Sequence, residues 1–275
     1  MKQTKLIMGM PITVEIVDAE FPKDAFKKVY EYFTYIDNKF STYKKNSEIS
    51  QINERRIKKS EYSPDMRNIF ALSQKTKEET DGYFDILHNG KYDPSGLVKG
   101  WAIWNAAALL KKMRINNFYI DAGGDIQVAG KNKENKLWKV GIRNPFNRFE
   151  NVKIVYLDNL GIATSGTAVR GNHIYNPKKE ECHPRHDRGS FRKDSRFRGN
   201  DREGGNDNAI VSLTVIGLNV YEADRFATAA FAMGQTGIKF IEKLEGFEGY
   251  LIDKNGIATY TSGFEQFTHN NGHVI

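Results

Sequence analysis

The other motifs of the chain are arranged around Asp93-Pro94-Ser95-Gly96-Leu97-Val98-Lys99-Gly100, which joins a turn to a helix. Proline fixes its own φ and glycine accepts a positive φ, so the first four residues are typical of a turn. From Val98 onward, apolar residues recur at helical spacing. The free amides of a helix N-terminus, the helix dipole and Lys99 together favour an anion such as phosphate. An ordinary helix start with a solvated lysine has the same pattern.

Length and composition suit one large domain that buries a substantial core, and we treat residues 1–275 as a single domain. The net charge of +7 is dispersed among 34 acidic residues, so we expect no nucleic-acid partner. No apolar run approaches the roughly 20 residues of a membrane helix, and we expect no direct membrane insertion. The N-terminus lacks the apolar segment of a signal peptide, and the one cysteine, Cys182, excludes an internal disulfide. We therefore expect a cytoplasmic protein.

Helical and alternating apolar patterns are interleaved along the chain, which predicts an α+β fold with largely antiparallel strands. Predicted helices cover 26–40, a segment starting at Ser63-Pro64, the segment from Val98, 221–233 and 237–244. Predicted strands cover 12–17, 118–120, 126–130, 138–142, 152–157 and 210–216, with a last hairpin through Asn255-Gly256.

Three further segments carry polar groups that suit a ligand. Ser41-Thr42-Tyr43 follows a predicted helix and could hold a ring-bearing ligand or form a surface turn. The glycines of Asp121-Ala122-Gly123-Gly124-Asp125 would allow close approach of the backbone to a ligand, or a tight hairpin. Asp224 and Thr228 are four residues apart on a predicted helix, so their oxygens share one face. Such oxygens suit Mg²⁺ or Ca²⁺, although a solvated face gives the same spacing.

Residues 178–208 differ in composition from the rest of the chain. They are rich in charged residues and glycine and almost lack aliphatic side chains, so we predict a disordered basic insertion. The segment contains Cys182, His183 and His186. Three such residues without a helix or strand pattern do not favour a zinc site.

Taken in chain order, several of these motifs resemble those of the FAD:protein FMN transferases, the ApbE-type flavin transferases. The resemblance runs from Met8 to the final hairpin, apart from residues 178–208. The motifs are Met8-Gly9, Phe40-Ser41-Thr42-Tyr43, Thr80-Asp81-Gly82-Tyr83-Phe84-Asp85, Asp93 to Gly100, Asp121 to Asp125, Ala163-Thr164-Ser165-Gly166, His173-Ile174-Tyr175-Asn176-Pro177 and Ala223-Asp224-Arg225-Phe226-Ala227-Thr228.

The resemblance implies an ApbE-like or T-fold-like α+β fold, with mixed, largely antiparallel sheets packed with helices. It also implies a Mg²⁺-dependent transferase with FAD as substrate. A threonine hydroxyl of a target protein attacks the FMN-side phosphorus, AMP leaves, and FMN stays on the target. Two alternatives remain open: a Mg²⁺-dependent FAD pyrophosphatase that releases FMN and AMP, and a non-catalytic FAD-binding protein.

Site residues follow from the same resemblance. Gly96, through its carbonyl, Asp224 and Thr228 match the metal ligands, and His173 matches a proposed general base. Apart from the resemblance, Asp121 or Asp125 is the next candidate for the base if His173 is dispensable. The remaining matches are contacts to the flavin nucleotide: Met8, Ser41, Thr42, Tyr43, Asp81, Asp93, Lys99, Thr164, Ser165 and His173.

Overall fold

An eight-stranded antiparallel sheet organises the residues that this computed structural model describes, 1–167 and 210–269. The strands are β1 (Lys2–Ile7), β2 (Met10–Ile16), β3 (Leu87–His88), β4 (Lys91–Tyr92), β5 (Phe118–Ala122), β6 (Asp125–Ala129), β7 (Trp138–Arg143), β8 (Asn151–Leu157), β9 (Gly161–Gly166), β10 (Ile210–Gly217), β11 (Glu248–Asp253) and β12 (Ala258–Tyr260). The order in the sheet is β1-β2-β5-β6-β9-β10-β11-β12, while β3–β4 and β7–β8 form separate hairpins.

Helices connect these strands. They are α1 (Ala25–Phe40), α2 (Glu48–Asn53), α3 (Pro64–Glu79), α4 (Ser95–Lys112), α5 (Val220–Ala232) and α6 (Gly237–Ile241), with short 3-10 turns at Lys59–Glu61, Gly234–Thr236 and Phe264–Thr268. The start of α3 follows from its sequence, because the Ser63 hydroxyl accepts from the Met66 amide at 3.2 Å and Pro64 occupies the first position. The predicted α+β class with largely antiparallel strands is confirmed.

The two faces of the sheet carry different layers, and strand β6 shows how. Ala129 packs in the core with α1 and α4, whereas Ile126 and Val128 pack on the other face against the β7–β8 hairpin. Alternation along the strand turns Asp125 and Gln127 to the helical side. The Gln127 Oε1 accepts from the backbone N of Val220 at 2.9 Å. This hydrogen bond fixes the start of α5 against strand β6.

Three segments differ from the sequence-based expectation. No strand was predicted at Thr164-Ser165-Gly166, which forms the end of strand β9: it pairs with β10, and the small Ser165 side chain is buried under α5. The N-terminus, for which no strand was predicted, forms β1. Helix α2 lies within the polar stretch 44–53; Ser47 caps it, and Ile49 and Ile52 bury one face.

Helices α4 and α5 approach each other closely at Gly100. A Cβ built at Gly100 would lie 2.7 Å from the Asp224 Cβ and 2.8 Å from the Val220 carbonyl oxygen, so only glycine fits. The backbone N of Gly100 donates to Asp224 Oδ2 at 2.8 Å. The turn at residues 93–96 and the first turns of α4 are thereby fixed against α5, which lies far along the chain.

Arg225 ties the end of α3 to α5. Its guanidinium is buried and forms ion pairs with Glu79 and Glu222, and its Nη1 donates to the Thr76 hydroxyl at 3.3 Å. The guanidinium carbon also lies 4.0 Å from the centroid of the Phe226 ring. With three polar partners and an aromatic face, this buried charge is well compensated.

Within residues 1–167 and 210–269, no helix combines the length and hydropathy needed to cross a bilayer. Several expectations concern residues outside these ranges: the general base His173, the predicted insertion 178–208, and the thiol and imidazoles of Cys182, His183 and His186. They remain predictions, as does the assignment of the whole chain to one domain.

We expect Gly100→Ala to destabilise the protein. The added methyl group must displace the backbone of α5, and such overpacking costs about 1–3 kcal/mol, which exceeds the roughly 1 kcal/mol that alanine gains in helix propensity. The measurement is the free energy of unfolding in urea. The reverse change on the exposed side of the same helix, Ala108→Gly, is the control and should cost about 1 kcal/mol through propensity alone. An increase in stability for Gly100→Ala would contradict the tight α4–α5 contact.

Candidate functional site

Four elements meet at one end of the sheet on its helical side: the first turns of α4, the start of β6, the end of β9 and the middle of α5. They bring together six of the residues discussed above, which we call the α4–α5 cluster: Gly96, Lys99, Asp125, Ser165, Asp224 and Thr228. The cluster is therefore built from parts of the chain that are far apart in sequence.

Lys99 lies between two carboxylates. Its Nζ is 2.6 Å from Asp125 Oδ2 and 3.9 Å from Asp224 Oδ1. Asp125 is only 1% exposed, and its other oxygen accepts from the backbone N of Thr164 at 3.2 Å. The ammonium group that was expected to face an anion is thus held in place by buried acidic groups beside the N-terminus of α4.

Asp224 is almost completely buried, and this burial raises the pKa of its carboxyl to about 8. Lys99 and the amide of Gly100 act in the opposite direction, whereas the nearby Asp125 carboxylate raises the pKa further. If both carboxylates, Asp125 and Asp224, are ionised, Lys99 balances only one of them, and an excess negative charge is buried away from water. The cluster therefore favours an additional positive charge, which a proton or a cation could supply.

Oxygen atoms of three other residues lie beside this charged group. The Thr228 hydroxyl is 3.3 Å from the Gly96 carbonyl oxygen and 3.3 Å from the Ser165 hydroxyl. Gly96 and Thr228 are partly exposed, so this side of the cluster is accessible. Hydroxyl, carbonyl and carboxylate oxygens are the ligands that Mg²⁺ and Ca²⁺ prefer. The chemistry of the donor set fits such a cation.

In the described part of the chain, no group of three or more His, Cys, Asp and Glu side chains has the arrangement of a metal site. A cation at the α4–α5 cluster would therefore depend on the Thr228 hydroxyl and the Gly96 carbonyl as much as on Asp224. Such a ligand set is dominated by oxygen and contains few charges, which again suits a hard divalent ion.

Two predicted contact residues have local roles in the structure. The Asp93 carboxylate accepts from the Ser95 amide at 3.0 Å and so stabilises the turn that precedes α4. The hydroxyl of Thr164 lies 2.8 Å from that of Thr214. Because strand residues alternate, Thr164 faces away from Ser165 and from the cluster, and only its backbone amide reaches Asp125.

The remaining predicted flavin contacts lie on three separate loops. Met8, with φ +57°, forms the β1–β2 turn at the end of the sheet where Ile12 pairs with Ala122. Ser41, Thr42 and Tyr43 follow α1, and the Tyr43 ring is 96% exposed. Asp81 follows α3 with φ +51°. These loops are separate from the hydrogen-bonded cluster described above.

The Asp121 to Asp125 segment forms a tight β5–β6 hairpin. Gly123 and Gly124 have φ of +65° and +103°, which explains why both are glycine. The Gly124 amide donates to Asp121 Oδ1 at 2.8 Å. Burial raises the pKa of Asp121, while the Gly124 hydrogen bond and Arg143 lower it. A carboxyl group with a raised pKa at this end of the sheet can act as a proton acceptor.

The role of Gln127 was not predicted from the sequence. Its amide accepts from Val220 N, and its Nε2 donates to the Leu160 carbonyl at 3.0 Å, so one buried side chain joins β6, the β8–β9 turn and α5. A glutamine in the middle of an otherwise apolar run, residues 126–129, was the available signal.

The family model described as the ApbE family matches residues 8–90 and 88–186 of the chain. The FAD:protein FMN transferase of Haemophilus influenzae is 25% identical over 189 residues, which cover 64% of this chain and 48% of that protein. The Escherichia coli K12 protein of the same name is 26% identical over 184 residues, covering 64% and 46%. In these alignments the chain spans about half the length of its curated relatives.

Solved structures agree with the fold over nearly the whole chain. The flavin transferase ApbE from Vibrio cholerae superposes with a TM-score of 0.76 at 20% identity, covering 97% of this chain and 98% of that one. The ApbE protein from Thermotoga maritima gives 0.79 at 19% identity, covering 98% and 99%. Because the family model matches more than half of the residues, we conclude that the chain belongs to the ApbE family.

Proposed function

We propose that the protein transfers FMN from FAD to a threonine hydroxyl of a target protein, releases AMP and requires Mg²⁺. Membership of the ApbE family and the names of the curated relatives support flavin transfer. The observation that carries the proposal is the α4–α5 cluster, in which a buried carboxylate, a hydroxyl and a backbone carbonyl meet at a helix N-terminus.

Asp224, Thr228 and the Gly96 carbonyl would hold the metal. Mg²⁺ bound there would neutralise charge on the diphosphate of FAD and on the leaving AMP. The raised pKa of Asp224 supports this assignment, since a second positive charge beside Asp125 and Asp224 removes the repulsion that now favours a proton.

Lys99 and the first turn of α4 would position the diphosphate. The amides at a helix N-terminus and the partial charge of the dipole favour anions, and α4 begins with Ser95 beside the proposed metal ligands. Asp125 restricts the rotamers of Lys99 through their 2.6 Å ion pair. A lysine held in this way loses little entropy when a phosphate oxygen comes within reach.

The proposed reaction exchanges one P–O bond for another. The threonine Oγ of the acceptor forms a bond to the FMN-side phosphorus, and the bond from that phosphorus to the bridging oxygen of AMP breaks. The hydroxyl proton passes to a base, and AMP carries away the electron pair. We assign the base to His173, and Asp121 or Asp125 would replace it if His173 is dispensable. With water as the nucleophile, the same site would release FMN and AMP.

We expect purified protein with FAD and Mg²⁺ to release AMP in step with covalent flavin on an added acceptor protein. Asp224→Asn should lower AMP release by about 100-fold or more, because an electrostatic group acting on developing charge is lost. AMP is measured by chromatography and covalent flavin by in-gel fluorescence. The control is Asp158→Asn, a partly exposed carboxylate paired with Lys131 at the other end of β6, and it should keep full activity. AMP without covalent flavin would identify a pyrophosphatase, and FAD binding without AMP would identify a binding protein.

His173→Ala should lower turnover while the affinity for FAD stays close to that of the parent protein, since a general base acts only in the transition state. The same change at His183 should have no effect on turnover and serves as the control. Turnover is measured at saturating FAD, and FAD affinity is measured separately from flavin fluorescence. An undiminished rate for His173→Ala would transfer the role to Asp121 or Asp125.

Without metal, stability should fall as pH rises through neutrality. The folded-state pKa of Asp224 lies above the ordinary value of 3.8, at about 8, so the native state holds a proton that the unfolded chain has released. The stability from this proton is complete below the unfolded pKa and is lost as pH rises towards the folded pKa. Urea unfolding in chelator should reveal the trend, and Asp224→Asn, which carries no titrating group, should remove it. Equal pH dependence in both proteins would contradict this origin.

A further inference from the structure

Three large apolar side chains are exposed together at the tips of two hairpins. Phe146 and Phe149, in the β7–β8 loop, are 59% and 84% exposed, and Ile257, at the β11–β12 turn, is 62% exposed. The two tips lie next to each other, because a Cβ built at Gly256 would lie 3.8 Å from Phe146 Cε2. We call Phe146, Phe149 and Ile257 the tip surface. Grouped apolar side chains in water usually mark a place of interaction.

Hydrogen bonds hold the tip surface in an ordered shape. The Phe146 amide donates to Asn144 Oδ1 at 2.9 Å, and the Phe149 amide donates to Asn147 Oδ1 at 3.2 Å. In the other hairpin, the Ile257 amide donates to Asp253 Oδ1 at 2.9 Å. Because these turns are already formed, a partner would pay little ordering entropy for contacts with the aromatic rings.

An arginine adds to the aromatic groups. The guanidinium carbon of Arg148 lies 4.9 Å from the centroid of the Phe149 ring, and both residues are exposed. Aromatic residues and arginine are the side chains that most often dominate binding energy at protein interfaces. The composition of this surface therefore suits a polypeptide partner.

The tip surface lies at the same end of the sheet as the α4–α5 cluster. Strand β9 ends near Asp125, and the registers pair Gly166 with Ser212 and Ile210 with Asp253, which leads directly to the β11–β12 turn. Strand β7 also ends at this end of the sheet, because Arg143, its last residue, is close enough to Asp121 in the β5–β6 hairpin for its charge to lower the pKa of that carboxyl group.

The distance across the sheet is small compared with a protein interface. From β6 to β11 there are three strand-to-strand steps, which at about 4.8 Å each give about 14 Å. A typical interface covers about 800 Å² on each partner, and a round patch of that area is about 32 Å across. One partner can therefore cover the tip surface while one of its side chains enters the α4–α5 cluster.

We propose that the tip surface binds the polypeptide acceptor of the flavin, through apolar side chains that flank its hydroxyl-bearing residue. This inference rests on the proposed function, which requires a protein to approach this end of the sheet. Phe146 and Phe149 are the anchors, Ile257 extends the apolar area, and the accepting hydroxyl reaches the α4–α5 cluster from the same end of the sheet.

Charge favours a protein over a lipid surface as the partner. The two tips, 143–150 and 253–257, contain three basic and two acidic residues, so their net charge is +1. Segments that bind anionic membranes electrostatically usually carry about 4–8 basic residues. Two of the charges are also engaged within the tips: Asp253 caps its own turn, and Glu150 accepts from Asn144 Nδ2 at 3.2 Å.

The test compares Phe146→Ser/Phe149→Ser with Leu218→Ser and the parent protein. Leu218 is 63% exposed but follows β10 at the opposite end of the sheet, so it is a matched control. The probes are fluorescein-labelled synthetic peptides with a central threonine, one set with apolar flanks and one with serine and glycine flanks. Anisotropy without FAD gives peptide affinity, and covalent flavin with FAD and Mg²⁺ gives transfer.

We expect the apolar peptides to bind the parent and Leu218→Ser alike, and the double variant about tenfold more weakly, as for the loss of interface anchors. The serine and glycine peptides should bind all three proteins equally weakly. Equal binding of apolar peptides to the parent and the double variant would overturn the proposal, as would their failure to bind the parent.

A vesicle arm distinguishes the lipid alternative. Binding to phosphatidylglycerol and phosphatidylcholine vesicles that depends on Phe146 and Phe149, without binding of apolar peptides, would overturn the protein partner in favour of a membrane. Peptide binding that depends on these residues but yields no covalent flavin would support the surface and count against the proposed transfer. If the double variant transfers flavin as well as the parent protein does, the proposed transfer stands and the proposed role of the tip surface is overturned.

Discussion

The close contact between α4 and α5 is the constraint on which the site depends. A glycine at position 100 lets the two helices pack closely enough that the Asp224 carboxylate is buried and accepts from the backbone of α4. A second buried carboxylate, Asp125, and the ammonium group of Lys99 lie beside it. Packing thus sets the electrostatics, because burial is what raises the pKa of Asp224 and prepares the cluster for an additional positive charge.

The sheet separates the work of its two faces by simple alternation. Ser165 reaches the cluster, while Thr164, the next residue along the strand, contacts Thr214 on the opposite face. On that opposite face, the β7–β8 hairpin covers apolar residues of β6 and carries its loop to the same end of the sheet as the cluster. One sheet end therefore brings a buried charged group and an exposed apolar surface within reach of one partner.

Periodicity predicted most of the fold because most elements have one apolar face. Helices α1, α3, α4 and α5 and strand β10 follow patterns that any layered protein imposes. The alternation rule fails for β9, where the polar side chain of Ser165 is buried by neighbours distant in sequence. It fails for β1 because an edge strand with exposed polar residues has no apolar face to show. Helix α2 was not predicted because it lies in a polar stretch. A capping serine, Ser47, followed by Ile49 and Ile52 at helical spacing would have indicated it.

The site was predictable to a smaller extent. The spacing of Asp224 and Thr228 placed both on one side of α5, and the turn before α4 located the helix N-terminus. The pairing of Lys99 with Asp125 joins residues on different elements, and no local pattern reports it. The same holds for Gln127, whose partners are backbone groups of two other segments. Contacts that depend on the three-dimensional arrangement of elements are beyond periodicity.

The long chain separation within the cluster has a consequence for folding. The hydrogen bond between Gly100 and Asp224 joins residues 124 positions apart in the sequence. Contacts of such high contact order form late, because the entropy of closing a long loop must be met first. We therefore expect the cluster to be absent from the folding nucleus, so that changes there speed unfolding more than they slow folding. A cation bound at the cluster would then slow unfolding and so lengthen the lifetime of the native state.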